Sequence, residues 1–170
     1  KGPCDLMLEV IETRMTPPVT AKIGATSLQL DRAYKAMAPM TDKPVKVGSI
    51  SAQLLALMLT DEHYADRLDL LMDLSVALNK EYHALADAGA PMVQIEEPAI
   101  HQVIADPNQK IKPEQWVEAF NVEVKGLRDK CEVWCHTCWG SPAAQRVASK
   151  DQSYKAALPY LNELDCDVLT

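Results

Sequence analysis

Short, continuous apolar runs separated by long amphipathic segments constrain this chain more than any other feature of its sequence. Such runs stand at residues 45–50, 92–95 and 132–136, with another beginning at 167–169 and a weaker one at 19–23. A strand buried on both faces reads this way, without polar alternation, and sheets of such strands are parallel and covered by helices. The segments between them carry helical spacing. The longest, expected over residues 62–88 behind a Thr60-Asp61-Glu62 cap, places Leu68, Leu71, Met72, Ser75, Leu78, Tyr82 and Leu85 three or four apart. Gly89 ends it as a C′ residue. Further helices are expected over 27–38, ending near Pro39, over 51–59, and over 111–127 with Pro113 in the first turn. A loop and helix fill 142–164.

No glycine-rich fingerprint follows any strand, which counts against a dinucleotide-binding sheet. Polar residues gather instead where strands end: Ser49, then Glu96 and Glu97, then His136 and Cys138. A closed β/α barrel keeps its chemistry at those carboxyl ends, and it takes about 250 residues. With 170 residues and four or five strands, the expectation is an α/β fold that is part of a (β/α)8 TIM barrel. Residues 1–170 then form an internal fragment of a single catalytic domain, lacking its N-terminal and C-terminal parts.

The formal net charge of −7, with no Lys/Arg cluster interleaved with aromatics, excludes nucleic acid as an expected partner. No apolar stretch approaches the roughly 20 residues that span a bilayer. The start shows no signal-peptide pattern, and an odd count of five cysteines argues against a disulfide scaffold. A cytoplasmic location is expected, where clustered Cys and His mean metal or catalysis.

Three cysteines lie within eight residues, around Val133-Trp134-Cys135-His136-Thr137-Cys138. On an extended strand end, His136 and Cys138 project to one side while Cys135 points to the other. An imidazole and a thiolate on one face can chelate zinc. A redox Cys-x-x-Cys pair, or chance cysteines near a buried histidine, fit the same spacing. The second signal is Gln94-Ile95-Glu96-Glu97-Pro98. Adjacent carboxylates directly after an apolar strand are costly unless paired or used. One of them is a candidate substrate anchor or proton donor, the alternative being a solvated loop. Arg14, before Pro17-Pro18, is a candidate anion site or an ordinary surface residue. His63, His83 and His101 read as exposed or capping.

Taken in order, these motifs resemble the catalytic barrel of the cobalamin-independent methionine synthase superfamily. The matching pieces are residues 14–19, Pro44-Val45-Lys46-Val47, the helix leading into residues 92–98, residues 135–140 and residues 164–170. The resemblance implies that His136 and Cys138 are two ligands of a catalytic zinc ion, the others lying beyond Thr170. It also implies a substrate-facing acid at Glu96, where the synthases carry an Asp for the homocysteine amino group. That departure, with Gly48-Ser49-Ile50-Ser51 replacing a Gly-Pro-Val-Thr-like loop, is similar to the epoxyalkane:coenzyme M transferase branch. The implied activity is zinc-dependent opening of a small epoxide by the coenzyme M thiolate, giving a 2-hydroxyalkyl product. Glu97 and Glu96 are the catalytic candidates; Glu96, Arg14 and Ser49 are the substrate-binding ones. The alternatives are methyl transfer from a folate to homocysteine and a non-catalytic metal-binding barrel; association into oligomers is left open.

Overall fold

A computed structural model of the chain describes residues 18–24, 27–98, 100–106, 108–138 and 153–170. Its centre is a four-stranded, wholly parallel sheet of β2 (Lys46–Ile50), β4 (Met92–Glu96), β5 (Glu132–His136) and β6 (Val168–Leu169), hydrogen-bonded in that order. A second parallel pair joins β1 (Pro18–Val19) to β3 (Thr60–Asp61). The register places Ser49, Ile95, Cys135 and Leu169 in one row and Ile50, Glu96 and His136 in the next. Because side chains alternate across a strand, these rows face opposite sides of the sheet. Val47, Val93, Ile95, Val133 and Cys135 are buried against helices. Lys46, Gln94, Glu96, Trp134 and His136 line the other face and remain partly or largely exposed. An α/β fold with parallel strands is thus present as expected, but its strands are buried on one face only and alternate with partly exposed polar residues, not buried on both faces as the apolar runs suggested.

The buried face is covered by α2 (Ala52–Met58), α3 (Arg67–Asp87) and α5 (Pro113–Glu123), which pack on one another. Helix α3 buries Leu70, Leu71, Leu74, Leu78, Tyr82 and Leu85, each full burial contributing about 1.5–3 kcal/mol. It begins five residues later than the Thr60-Asp61-Glu62 cap suggests. Asp61 Oδ1 accepts the backbone N–H groups of His63 (3.0 Å) and Tyr64 (2.9 Å), turning the chain. Asp66 then caps the helix through the Leu68 N–H. At the far end Gly89 takes a φ of 97°, a left-handed value that favours glycine.

The expected strand at 19–23 contracts to the two residues of β1, and helix 27–38 to α1 (Leu30–Met37) followed by a 3-10 turn at Ala38–Met40. The helix at 111–127 stops at Glu123, and Gly126 in the turn beyond has a φ of 76°. Helix α4 (Ile100–Ala105), just after β4, has no counterpart in the periodicity reading. Within residues 142–164, the described part contains only α6 (Leu158–Leu161); residues 142–152, and Arg14, lie outside the described residues.

Candidate functional site

The register brings two of the sequence-predicted side chains together. Glu96 and His136 end adjacent strands at the same height, and His136 Nε2 lies 3.9 Å from Glu96 Oε2. The imidazole is gripped on its far side, where Nδ1 is 3.2 Å from Thr170 Oγ1. The backbone repeats this link: Thr170 N–H donates to Cys135 O and Thr137 N–H to Thr170 O. Strand β6 thus fixes the ring and leaves Nε2 toward the carboxylate and the open face. Glu96 Oε1 accepts from the Gln94 side-chain amide at 2.5 Å.

Cys138, two residues beyond His136, is half-buried and carries a free thiol, whereas Cys135 is fully buried. Burial, then the nearby Glu97, raises the Cys135 thiol far above its ordinary value. The two cysteines accordingly occupy different environments, and Cys135 belongs to the wall between sheet and helices. The donor chemistry fits zinc in part. An imidazole held from behind with Nε2 outward, and a free thiol close by in the chain, supply nitrogen and sulfur of the kind zinc takes. Among the described residues no three His, Cys, Asp or Glu side chains cluster as a metal site, so these residues offer two donors of the usual four.

The remaining candidates lie elsewhere. Ser49 stands in the row that faces the helices, its hydroxyl meeting that of Tyr82. It is not brought together with Glu96 and His136. Glu97 turns away from Glu96 and is only 1% exposed. Its N–H donates to His136 O at 2.9 Å, and its carboxyl meets the Ser51 hydroxyl and lies near Glu123. Burial, then the charge of Glu123, pushes the Glu97 carboxyl well above the usual range. His101, expected at the surface, is buried beside Tyr154, their ring centroids 4.5 Å apart. Burial lowers its imidazole.

Glu123 escapes a periodicity reading because one acid at the end of an amphipathic helix looks solvated. It is fully buried, and that burial raises its carboxyl to about 8, against hydrogen bonds from Ala52 N–H and Tyr82. The Tyr82 hydroxyl lies 2.9 Å from Ile50 O and 3.2 Å from Glu123 Oε1. The Tyr82 hydroxyl has one proton to share between these two acceptors. This buried group braces the sheet from behind, while Glu96 and His136 stand in front.

A parallel α/β sheet with an acid and an imidazole side by side at its carboxyl edge is the arrangement that TIM-barrel enzymes use. A family model described as "Cobalamin-independent synthase, Catalytic domain" matches residues 5–170. The chain belongs to that family.

The methionine synthase of Saccharolobus islandicus strain L.S.2.15 is 37% identical over 108 residues, which are 63% of this chain and 26% of that protein. The methionine synthase of Sulfurisphaera tokodaii is 34% identical over 107 residues, with the same coverage. Among solved structures, a B12-independent methionine synthase from Shewanella sp. W3-18-1, in complex with selenomethionine, matches with a TM-score of 0.77 at 23% identity. The match covers 91% of this chain and 45% of that one. A putative vitamin-B12 independent methionine synthase from Listeria monocytogenes gives 0.62 at 18% identity, covering 78% and 44%. At those identities the structures speak for the fold alone. The chain spans about a quarter of the length of the two sequence relatives.

These findings overturn the expected assignment to epoxide opening, with coenzyme M and an epoxide as partners. The relatives are named methionine synthases. The physical reason for the error lies in Glu96: an acid one methylene longer than Asp still places a carboxylate at the strand end beside His136, so the length of the side chain does not separate the branches. No helix among the described residues is long and apolar enough to cross a membrane.

Proposed function

We propose that this chain is part of the catalytic barrel of a cytoplasmic, zinc-dependent methionine synthase, which moves a methyl group from a methylated folate to the thiol of homocysteine. The whole of residues 1–170 belongs to one barrel domain in this reading. The observation that carries it is the pairing of Glu96 with His136 at the carboxyl edge of the sheet, in a chain whose family is the cobalamin-independent synthases.

His136 and Cys138 would hold zinc, and zinc when bound supplies a positive charge that keeps a substrate thiol ionised at neutral pH. The chain's own residues orient and anchor. Thr170 fixes the His136 ring, so that Nδ1–H faces its hydroxyl and Nε2 keeps its lone pair. Glu96 receives the ammonium group of homocysteine, which sets the sulfur over the strand end. The sulfur electron pair forms the new S–CH3 bond as the C–N bond of the folate breaks, and the leaving nitrogen takes a proton. Glu97 and Glu123 stay behind the sheet and hold β4, β5 and α2 in place. Ser49 acts with them through Tyr82, and Arg14 remains a candidate for an anionic substrate group.

The test uses the full-length parent protein, zinc-loaded, with homocysteine and 5-methyltetrahydrofolate, and follows methionine by mass spectrometry. Methionine should form, stop on chelation, and fall at least about 100-fold in His136→Ala and Cys138→Ala, as expected when a metal ligand is lost. Methionine formation indifferent to the chelator would sink the zinc role. Its absence in the wild type would sink the reaction.

A further inference from the structure

On the open face of the sheet, three side chains from two strands form a line of fixed polarity. Lys46 Nζ donates to Gln94 Oε1, and Gln94 Nε2 donates to Glu96 Oε1, both at 2.5 Å. The ammonium also sits 3.9 Å from the centroid of the Trp134 ring, whose Nε1 donates to Glu132 at 2.7 Å. Lysine can only donate and a carboxylate can only accept. The amide between them is therefore locked with its oxygen toward Lys46 and its nitrogen toward Glu96.

Gly48 completes this arrangement. It pairs in register with Gln94, and a Cβ placed on it would stand 3.3 Å from Glu96 Oε1. That is closer than ordinary van der Waals contact. The extra methylene of Glu96, compared with aspartate, is taken up by folding the carboxylate back over the bare backbone of Gly48. Oε1 is committed to Gln94, and Oε2 is the oxygen presented toward His136.

We propose that Gln94, Lys46 and Gly48 are specificity-determining residues that position Glu96. Gln94 and Lys46 hold the carboxylate, and Gly48 leaves the space into which it folds. Together they set the height at which Oε2 meets a substrate cation, a role that rests on the reading of Glu96 as the ammonium anchor. Lys46 acts only through Gln94.

The experiment compares the full-length zinc enzyme with its Gln94→Leu, Lys46→Met, Lys46→Arg and Gly48→Ala variants and with the Gln94→Leu/Lys46→Met double variant. Steady-state kinetics, calorimetric binding of homocysteine and of 4-sulfanylbutanoate (the same thiol without its amino group), and crystal structures are the readouts. Gln94→Leu should raise the homocysteine KM and Kd about tenfold, the factor expected for a lost hydrogen bond to a charged group. The kcat should stay within about twofold, since the lost contact serves substrate and transition state alike. Binding of the des-amino thiol should not change. Lys46→Met should give a smaller loss that Lys46→Arg restores and that Gln94→Leu makes silent. Gly48→Ala should follow the pattern of Gln94→Leu. Equal losses for both thiols, or a Lys46→Met loss that adds to that of Gln94→Leu, would overturn the proposal. The crystal structures keep the two readings apart. If the wild type makes no methionine, the proposed reaction fails, and the positioning claim is still decided by whether the Glu96 carboxylate leaves its place over Gly48 in Gln94→Leu. An unmoved carboxylate overturns it.

Discussion

Glutamine in place of Glu123 tests the buried support of the site quantitatively. The substitution keeps the shape of the side chain and an oxygen for the Ala52 N–H, and its amide can donate to the Tyr82 oxygen. Burial lifts the Glu123 carboxyl from 4.5 to about 8. An acid raised on folding keeps a proton that the unfolded chain has released, so stability is full below about pH 4.5 and declines until the pH passes about 8. At pH 7 a shift of that size amounts to about 3 kcal/mol. Glutamine has no proton to release and escapes the part of the decline that Glu123 contributes, while the buried Glu97 remains. E123Q should therefore match the wild type near pH 4.5 and exceed it by about 4 kcal/mol at pH 8. That corresponds to about 8–16 °C in Tm for a domain of this size. Thermal melting of the full-length enzyme, followed by tryptophan fluorescence from pH 5 to pH 8, reads this directly. A Tm difference that stays flat with pH, or a variant less stable than wild type at pH 8, would refute the assignment of a protonated, buried Glu123.

Three further outcomes are expected. Thr170→Val removes the hydroxyl that fixes His136 Nδ1 and should weaken zinc binding about 10–100-fold, as loss of a ligand's supporting hydrogen bond does; competition with a chromophoric chelator measures it, and unchanged affinity would mean that the ring is held by other means. In the folded enzyme, iodoacetamide should modify the half-buried Cys138 well before the enclosed Cys135, with peptide mapping as the readout; faster labelling at Cys135 would reverse the assignment of faces. Ser51→Ala removes the cap that accepts the Leu54 N–H at 3.1 Å and should cost about 1 kcal/mol in urea denaturation, a loss below a few tenths showing that the cap is dispensable.

The parallel sheet was legible because its strands are buried on one face and carry apolar residues there without interruption, as Val93-Gln94-Ile95 and Val133-Trp134-Cys135 do. The orientation of Cys135 followed from strand alternation alone. What could not be read were features that depend on a partner far along the chain. Helix α3 starts late because Asp61 finds two N–H donors and because β3 pairs with β1, which no local window contains. Ser49 and Glu97 sit at strand ends, as a catalytic residue would, yet both turn toward the helices, where Tyr82, Ser51 and Glu123 meet them. Glu123 itself became visible only when α5 was packed on α2 and α3. The choice of branch failed for a simpler reason: one methylene changes the reach of a carboxylate without changing its charge, and the reach is absorbed by a glycine two strand positions from the edge.

The clasp between Thr170 and His136 joins residues 34 positions apart, and this sets an order in time. As the chain is synthesised, β2, β4 and β5 can pair, with α3 and α5 to cover them, before β6 has left the ribosome. During that interval the imidazole lacks the Thr170 contact at Nδ1. Distant parallel pairings are slow to close, so the arrival of β6 acts as the latch that holds the ring by Nδ1.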